Sequence, residues 1–330
     1  MLSHPLNSHI LVTGGAGFMG SSFIRYLLEK DGFTGRITNL DLLTYAGNLD
    51  NVASVEKDGR YQFIQGDIRK ADLLESLEDP PDIIVHFAAE THVDRSIKSP
   101  QVFLETNVLG TYHLLEYVRK HPATHFHHIS TDEVYGALGL EGVFSESSPY
   151  RPNSPYSASK ASSDHLVRSY AETYGISTTL SHASNNYGPC QYAEKFIPLM
   201  IEHAMQRKPL PVYGRGENRR EWLFVADHSA AIYAILSHGK KGEVYNVGGG
   251  TELRNIDLLH KILELMGDAS LKSLITYVED RPGHDFRYAM QGDKIRALGW
   301  QPQWSLEEGL KETIRWMHEK SMCYSSKASL

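Results

Sequence analysis

One segment near the amino terminus restricts the fold more than any other. His9-Ile10-Leu11-Val12-Thr13 is apolar enough for a buried strand, and Gly14-Gly15-Ala16-Gly17-Phe18-Met19-Gly20 follows it. Phe23, Ile24, Leu27 and Leu28 then recur at helical spacing until Gly32. Glycines between a strand and a helix permit a tight turn, close approach of a diphosphate to the backbone, and helix-on-strand packing. The helix start offers free N–H groups and partial positive charge to that diphosphate. A second strand, Arg36–Asp41, ends in an acid 21 residues beyond Gly20. A carboxylate there accepts hydrogen bonds from ribose hydroxyls and repels a 2′-phosphate. The segment therefore predicts an NAD site, with Gly14, Gly17, Phe18, Met19, Gly20 and Asp41 against the cofactor.

The pattern continues downstream. Apolar runs at 61–64, 83–87, 125–130 and 176–182 alternate with helical stretches at 70–77, 101–119 and 156–174. Such alternation predicts an α/β fold of the Rossmann type, a doubly wound parallel sheet with helices on both faces. Asp67, closing the third strand, is expected against the adenine. After Asn186 the rhythm changes to stretches rich in Gly, Pro, Asn and Arg at 187–189, 209–214 and 280–284, which read as loops. Helices are expected near 195–206, 255–265 and 306–318. A chain of 330 residues suggests two units. The division expected is 1–186 plus about 223–249 for the cofactor, and about 187–222 plus 250–320 for a smaller substrate domain. The tail from Ser321 is expected to fray.

Charge and composition exclude several classes. With 33 basic and 40 acidic residues the formal charge is −7, which argues against a nucleic-acid binder. No apolar run approaches the roughly 18 residues of a membrane span, and the first residues lack the pattern of a secretory signal. Two cysteines cannot make a disulfide framework. The expectation is a soluble, cytoplasmic protein. His125 and His127 fall on one face of a strand and His128 on the other, so convergent metal ligation is not expected. Cys190 has no base spaced to activate it.

Tyr156 and Lys160 stand four residues apart, one helical turn, with Pro155 placed to open the helix. Alone this is an ordinary surface pair. Downstream of a dinucleotide fold it suggests chemistry. An ammonium beside a phenol favours the phenolate and lowers its pKa, so that Tyr156 can take a proton from a sugar hydroxyl as hydride leaves the same carbon. Ser130 and Thr131, at the end of the preceding strand, can add a hydroxyl to the same oxygen.

These motifs, with Leu43-Thr44-Tyr45-Ala46-Gly47-Asn48-Leu49, Phe87-Ala88-Ala89-Glu90-Thr91-His92-Val93-Asp94-Arg95-Ser96, Ser130-Thr131-Asp132-Glu133-Val134-Tyr135-Gly136, Ser184-Asn185-Asn186-Tyr187-Gly188-Pro189 and Arg281-Pro282-Gly283-His284-Asp285, carry a resemblance. The chain resembles an extended short-chain dehydrogenase/reductase, and within that family the nucleotide-sugar 4,6-dehydratases of the dTDP-glucose type. The similarity runs from about Ile10 to Trp316. It implies that Ile68, Phe87, Ala88, Ala89, Thr106, Ser130, Tyr156 and Lys160 also meet the cofactor. It implies that Thr91, Asn185, Lys195, Val212, Tyr213, Arg220, Asn255, Arg281 and His284 grip the nucleotide sugar, and that the protein is a homodimer.

The acid dyad selects the reaction. Oxidation at C4 of a hexose acidifies the C5–H; removing that proton needs a base, and expelling the C6 hydroxyl needs an acid. Two adjacent carboxyls can serve if their surroundings separate their pKa values. By resemblance Glu133 is the base and Asp132 the acid, and NAD is regenerated in each cycle. C4-epimerases of the same family typically carry small residues here. A redox-sensing NAD-binding protein would have no use for Tyr156, Lys160 and the dyad together. Arg220-Glu221-Trp222 stands where the family usually has Arg-Asp-Trp, and this departure is expected to bear on substrate identity. A thymidine sugar is the first choice and a uridine sugar the competitor.

Overall fold

The structure, a computed structural model, describes residues 5–76 and 79–327, with side chains up to Ser321. Its strands are β1 (His9–Thr13), β2 (Arg36–Asp41), β3 (Tyr61–Gln65), β4 (Ile83–His86), β5 (His125–Thr131), β6 (Thr178–Ala183), β7 (Asn185–Tyr187), β8 (Leu210–Tyr213), β9 (Arg219–Phe224), β10 (Val244–Val247), β11 (Thr251–Arg254) and β12 (Ile275–Val278). The main sheet has the order β10-β6-β5-β4-β1-β2-β3, with every pair parallel. The order reverses between β1 and β4, and such a switch opens a crevice at the carboxyl ends of the strands.

Side-chain alternation along each strand supplies both faces of this sheet. Ile10 and Val12 pack with Phe23, Ile24 and Leu27 of the helix Phe18–Leu28 and with Ile232 and Leu236 of the helix Val225–His238. Leu11 and Ile84 point the other way, toward Leu114, Leu115 and Val118 of the helix Gly110–Lys120 and Val167 of the helix Pro155–Tyr174. Each such fully buried aliphatic side chain contributes roughly 1.5–3 kcal/mol. The smaller layers are a three-stranded sheet, β11-β9-β7, and a two-stranded one, β12-β8. Their core joins Tyr187, Ile197, Trp222, Leu258 and Leu310.

Three elements differ from the sequence expectation. The stretch 101–119 is one rod but not one α-helix, because a π-helical segment, Leu104–Leu109, precedes Gly110–Lys120. Within that segment Asn107 is buried, bonding the backbone of Glu90 at 2.8 and 3.0 Å and the Ser159 hydroxyl at 2.8 Å. Residues 209–214 are not all loop: Leu210–Tyr213 is β8, paired in parallel with β12. Pro211 is tolerated there because each strand of a two-stranded sheet is an edge. The final helix runs Leu306–Lys327, past Ser321, where fraying was expected. The expected helix 70–77 is Ala71–Glu75, and its last position lies outside the described residues. Among the described residues no helix is long and apolar enough to cross a membrane.

Candidate active site

The loop after β1 enters the crevice. Gly14 has φ +73°, donates its N–H to the Leu40 carbonyl at 2.8 Å, and lies so near β4 that a Cβ would sit 2.7 Å from the Ala88 nitrogen. A Cβ on Gly20 would sit 2.4 Å from the Gly14 carbonyl oxygen. The helix Phe18–Leu28 starts at Gly17 with no capping side chain and no acid in its first turn. Its first N–H groups therefore stay available to an anion. Asp41 is 8% exposed; its Oδ2 accepts from the Ala16 N–H at 2.9 Å and its Oδ1 from the Leu43 N–H at 2.7 Å. Burial raises its pKa against the pull of those donors. A carboxylate has further lone pairs for ribose hydroxyls. Glycine cradle, uncapped helix and terminal acid fit a dinucleotide such as NAD.

At the adenine end Asp67 is paired with Arg69 at 2.7 Å. Burial opposes its ionisation, but the Arg69 guanidinium outweighs burial and holds the carboxyl below its usual range.

One cavity of about 390 Å³ gathers nearly all of the expected cofactor residues: Gly14, Gly17, Phe18, Met19, Gly20, Asp41, Asp67, Ile68, Phe87, Ala88, Ala89, Thr106, Ser130 and Tyr156. Thr91, Thr131, Asp132, Glu133, Asn185 and Lys195 line it too. Thr131 ends β5 and caps the 3₁₀ turn Asp132–Tyr135: its Oγ1 accepts from the Glu133 N–H at 3.3 Å and donates to Asp132 Oδ1 at 3.2 Å. Asp132 is 2% exposed, and its Oδ2 is buried without a partner. Burial, then the Glu133 and Glu221 charges, drive its pKa well above the ordinary value. Burial also raises Glu133, but Arg281, Arg220 and Lys195 all pull it back. Both carboxyls are raised, but Asp132 much above its ordinary value with a like charge added to burial, while on Glu133 three cations oppose burial, so their surroundings differ.

The tyrosine–lysine pair departs from expectation. Ser154 caps the helix, Pro155 opens it, and Tyr156 and Lys160 share its buried face. Lys160 donates to the Ile129 carbonyl at 2.8 Å and lies beneath the cavity, outside its lining. The phenol of Tyr156 is raised, not lowered: burial dominates, the Glu133 charge adds to it, and Thr131 pulls the other way. Burial brings Lys160 down to about 8.

Six residues that the resemblance placed against the nucleotide sugar stand outside the lining of this cavity. Val212 is fully buried beside Leu210, Met200 and Leu259, so its side chain belongs to a core. Arg220 is 5% exposed and spends its guanidinium on the Asp285 carbonyl at 2.9 Å and the Arg219 carbonyl at 2.7 Å, over the Tyr288 ring at 4.4 Å. It therefore acts on the cavity through charge rather than by lining it. Tyr213 donates to Asp94 at 3.2 Å, Arg281 donates to the other oxygen of Asp94 at 3.4 Å, and His284 Nδ1 lies 2.6 Å from Asp280. Asn255 opens the helix Asn255–Leu265, with its Oδ1 buried and unpartnered. None of these six lines the cavity. Glu221 is no substrate contact: its two oxygens accept from the Gly250 and Met290 N–H groups at 2.7 and 3.0 Å.

The cavity adds residues that sequence reasoning missed. Glu90, Asn186, Gln191 and Trp222 each present a buried polar atom without a partner. Glu194 receives the Tyr45 hydroxyl at 3.3 Å and stands 3.7 Å from the Lys195 ammonium. Glu90 and Glu194 adjoin Thr91 and Lys195, and that adjacency was the only signal. His125 and His127 bond the hydroxyls of Ser177, Thr179 and Ser181.

Fold and site together define a dinucleotide-binding α/β protein whose cleft adds two differently tuned carboxyls to a tyrosine and a lysine. Residues 11–313 match the family model described as GDP-mannose 4,6 dehydratase, and the chain belongs to that family. It is 49% identical to the dTDP-glucose 4,6-dehydratase of Neisseria meningitidis serogroup B, over 93% of this chain and 92% of that protein. The dTDP-glucose 4,6-dehydratase of Streptomyces venezuelae, solved with NAD bound, superimposes with a TM-score of 0.91 at 46% identity, covering 96% of this chain and 98% of that one. The UDP-glucose 4-epimerase of Thermotoga maritima has the same fold, with a TM-score of 0.87 at 28% identity, covering 95% and 99%.

Proposed function

We propose that the protein is a dTDP-glucose 4,6-dehydratase, an NAD-dependent hydro-lyase that forms the 4-keto-6-deoxy sugar nucleotide. The observation that carries the reading is the separation of Asp132 from Glu133 beside Tyr156 in one cavity. Bound NAD supplies hydride acceptance from sugar C4 and hydride return at C6. Tyr156 takes the proton from O4 once ionised, a form that burial disfavours; Thr131 is its hydroxyl partner and Lys160 the cation behind it. Glu133 removes the C5 proton and returns it to C5 as hydride reaches C6, and Asp132, whose ionisation burial opposes, gives a proton to the C6 hydroxyl, which departs as water. Asn185 and Lys195 orient the sugar and its diphosphate. Arg281, behind the cavity wall, supplies positive charge near the nucleotide, and His284, which burial lowers to about 4, adds a neutral ring.

We read a cofactor unit of 1–186 plus about 223–249 and a sugar-nucleotide unit of about 187–222 plus 250–320, a division supported by the separate sheets, although β7 and β9 straddle its bounds. We place the protein in the cytoplasm as a homodimer, supported by exposed Leu104, Leu109 and Tyr112 along one helical rod and Tyr174 on the helix beside it.

The test is incubation with dTDP-glucose, UDP-glucose, UDP-N-acetylglucosamine and GDP-mannose, reading the alkali-absorbing ketosugar. Turnover of dTDP-glucose well above the others is expected. Preference for either UDP sugar or for GDP-mannose would refute the substrate, and a C4 epimer without the ketosugar would refute the reaction.

A further inference from the structure

Ser130, His182 and Asn246 are register partners on β5, β6 and β10, forming one row. His128, two residues before Ser130, shares their face. A sheet face beneath a helix is ordinarily apolar, yet here the row meets Asp164, 2% exposed, from the helix Pro155–Tyr174. Asp164 Oδ2 accepts from the Ser130 hydroxyl at 2.9 Å and lies 3.1 Å from His182 Nε2. Its Oδ1 lies 3.3 Å from His128 Nε2. Lys160, one turn earlier, stands 3.5 Å from the same His128 nitrogen. Tyr135 and Tyr150 close the far side, each 2.8 Å from a ring nitrogen of His182.

A carboxylate this deep is stable only when it is paired and hydrogen-bonded. The steps proposed above give it no task, and it does not line the cavity.

We propose that Asp164 is a positioning residue: held by the Ser130 hydroxyl and by an Nε2–H of His182, it locks Ser130 to the Tyr156 helix and faces Lys160 with a fixed negative charge. The inference rests on the dehydratase reading, in which Lys160 and Tyr156 serve C4 oxidation. Burial draws the Lys160 ammonium down, and Asp164 is the charge that opposes it. The same anion disfavours a phenolate on Tyr156. Removing it moves both groups in one direction: the phenol ionises at lower pH, and the ammonium is lost at lower pH. The other groups facing this cluster are His86 from β4, His128 from β5, His182 from β6, Tyr135, Tyr150, Asp132, Glu133 and, on the same helix, Arg168. All of them persist in Asp164→Asn.

The experiment is single-turnover NADH formation from the NAD-loaded protein and dTDP-glucose across pH. NADH together with the alkali-absorbing ketosugar from the wild type upholds the dehydratase reading, and absence of the ketosugar would defeat that reading while leaving the histidine measurement below intact. In Asp164→Asn the whole pH profile is expected to move about one unit lower. Asp164→Glu, which restores the charge, is expected to keep the wild-type profile at reduced rate. A lower rate with an unmoved profile in Asp164→Asn would overturn the charge role. The positioning role is also read in the wild type by nitrogen NMR of ¹⁵N-histidine-labelled protein, which needs no variant to fold. His182 is expected to carry a proton on Nε2, and a bare Nε2 there would overturn the proposal.

Discussion

Gly14→Ala is the sharpest probe of the cofactor cradle. At φ +73° an alanine pays roughly 1–2 kcal/mol for the left-handed conformation. Its Cβ would also meet the Ala88 nitrogen at 2.7 Å and Cα at 2.8 Å. These are backbone atoms that cannot swing aside, and overpacking of this kind costs about 1–3 kcal/mol. Together the two effects remove about 2–5 kcal/mol. Domains of 150–250 residues lose roughly 2–4 °C of Tm per kcal/mol, so a fall of roughly 4–20 °C is expected. Thermal unfolding followed by circular dichroism, with and without NAD, measures it. Gly59→Ala, with nothing within 4 Å of its Cβ, is the control and should melt like the wild type. Gly17→Ala, at an ordinary φ of −79° and 3.2 Å from the Gly14 carbonyl, should lose less stability but bind NAD more weakly. A Gly14→Ala protein melting within about 2 °C of the wild type, with unchanged NAD affinity, would refute the packing argument.

Glu133→Gln should spare C4 oxidation and block C5 proton loss, lowering turnover by about 10²–10⁴ while NADH accumulates with substrate; unchanged turnover would defeat the assignment. Tyr156→Phe should stop the reaction before any NADH appears, as absorbance during a single turnover would show. Lys160, brought by burial from 10.5 to about 8, costs about 3 kcal/mol while charged at neutral pH. Between these values the unfolded chain binds more protons, so this group makes stability rise with pH from about 8 to 10.5. Urea midpoints over that range should climb more steeply in the wild type than in Lys160→Met. Glu221→Gln turns one acceptor into a donor facing a buried N–H, and should cost about 1–3 kcal/mol by the same urea assay.

Much of the fold was legible because its determinants are local. The apolar run, the glycine loop and Asp41 lie within a few dozen residues, and Ser154, Pro155 and Gly175 mark the Tyr156 helix from its two ends. The dyad was legible for the same reason, since both acids follow one strand. What sequence left hidden depends on which remote atoms meet. Arg220 was placed against the nucleotide sugar by the resemblance, and here its guanidinium donates to a carbonyl 65 residues away. Val212 was read from a Pro- and Gly-bounded stretch, but pairing with β12 turned that stretch into a strand and its side chain inward. The phenol of Tyr156 went up instead of down because burial and the charges of Glu133, Asp132 and Asp164 outweigh the Thr131 hydroxyl, a balance no spacing encodes.

The last strand of the main sheet, β10, arrives only after the chain has left to build β7, β8 and β9 and then returned. A ribosome releasing residue 190 has therefore issued six of the seven strands while β6 still has one side uncovered. Its row of free amide and carbonyl groups would invite a strand from another molecule until Val244–Val247 emerges. Cutting the gene after β6 should consequently give a sticky fragment, and a minimal cofactor-binding piece has to be made by shortening the excursion between β6 and β10.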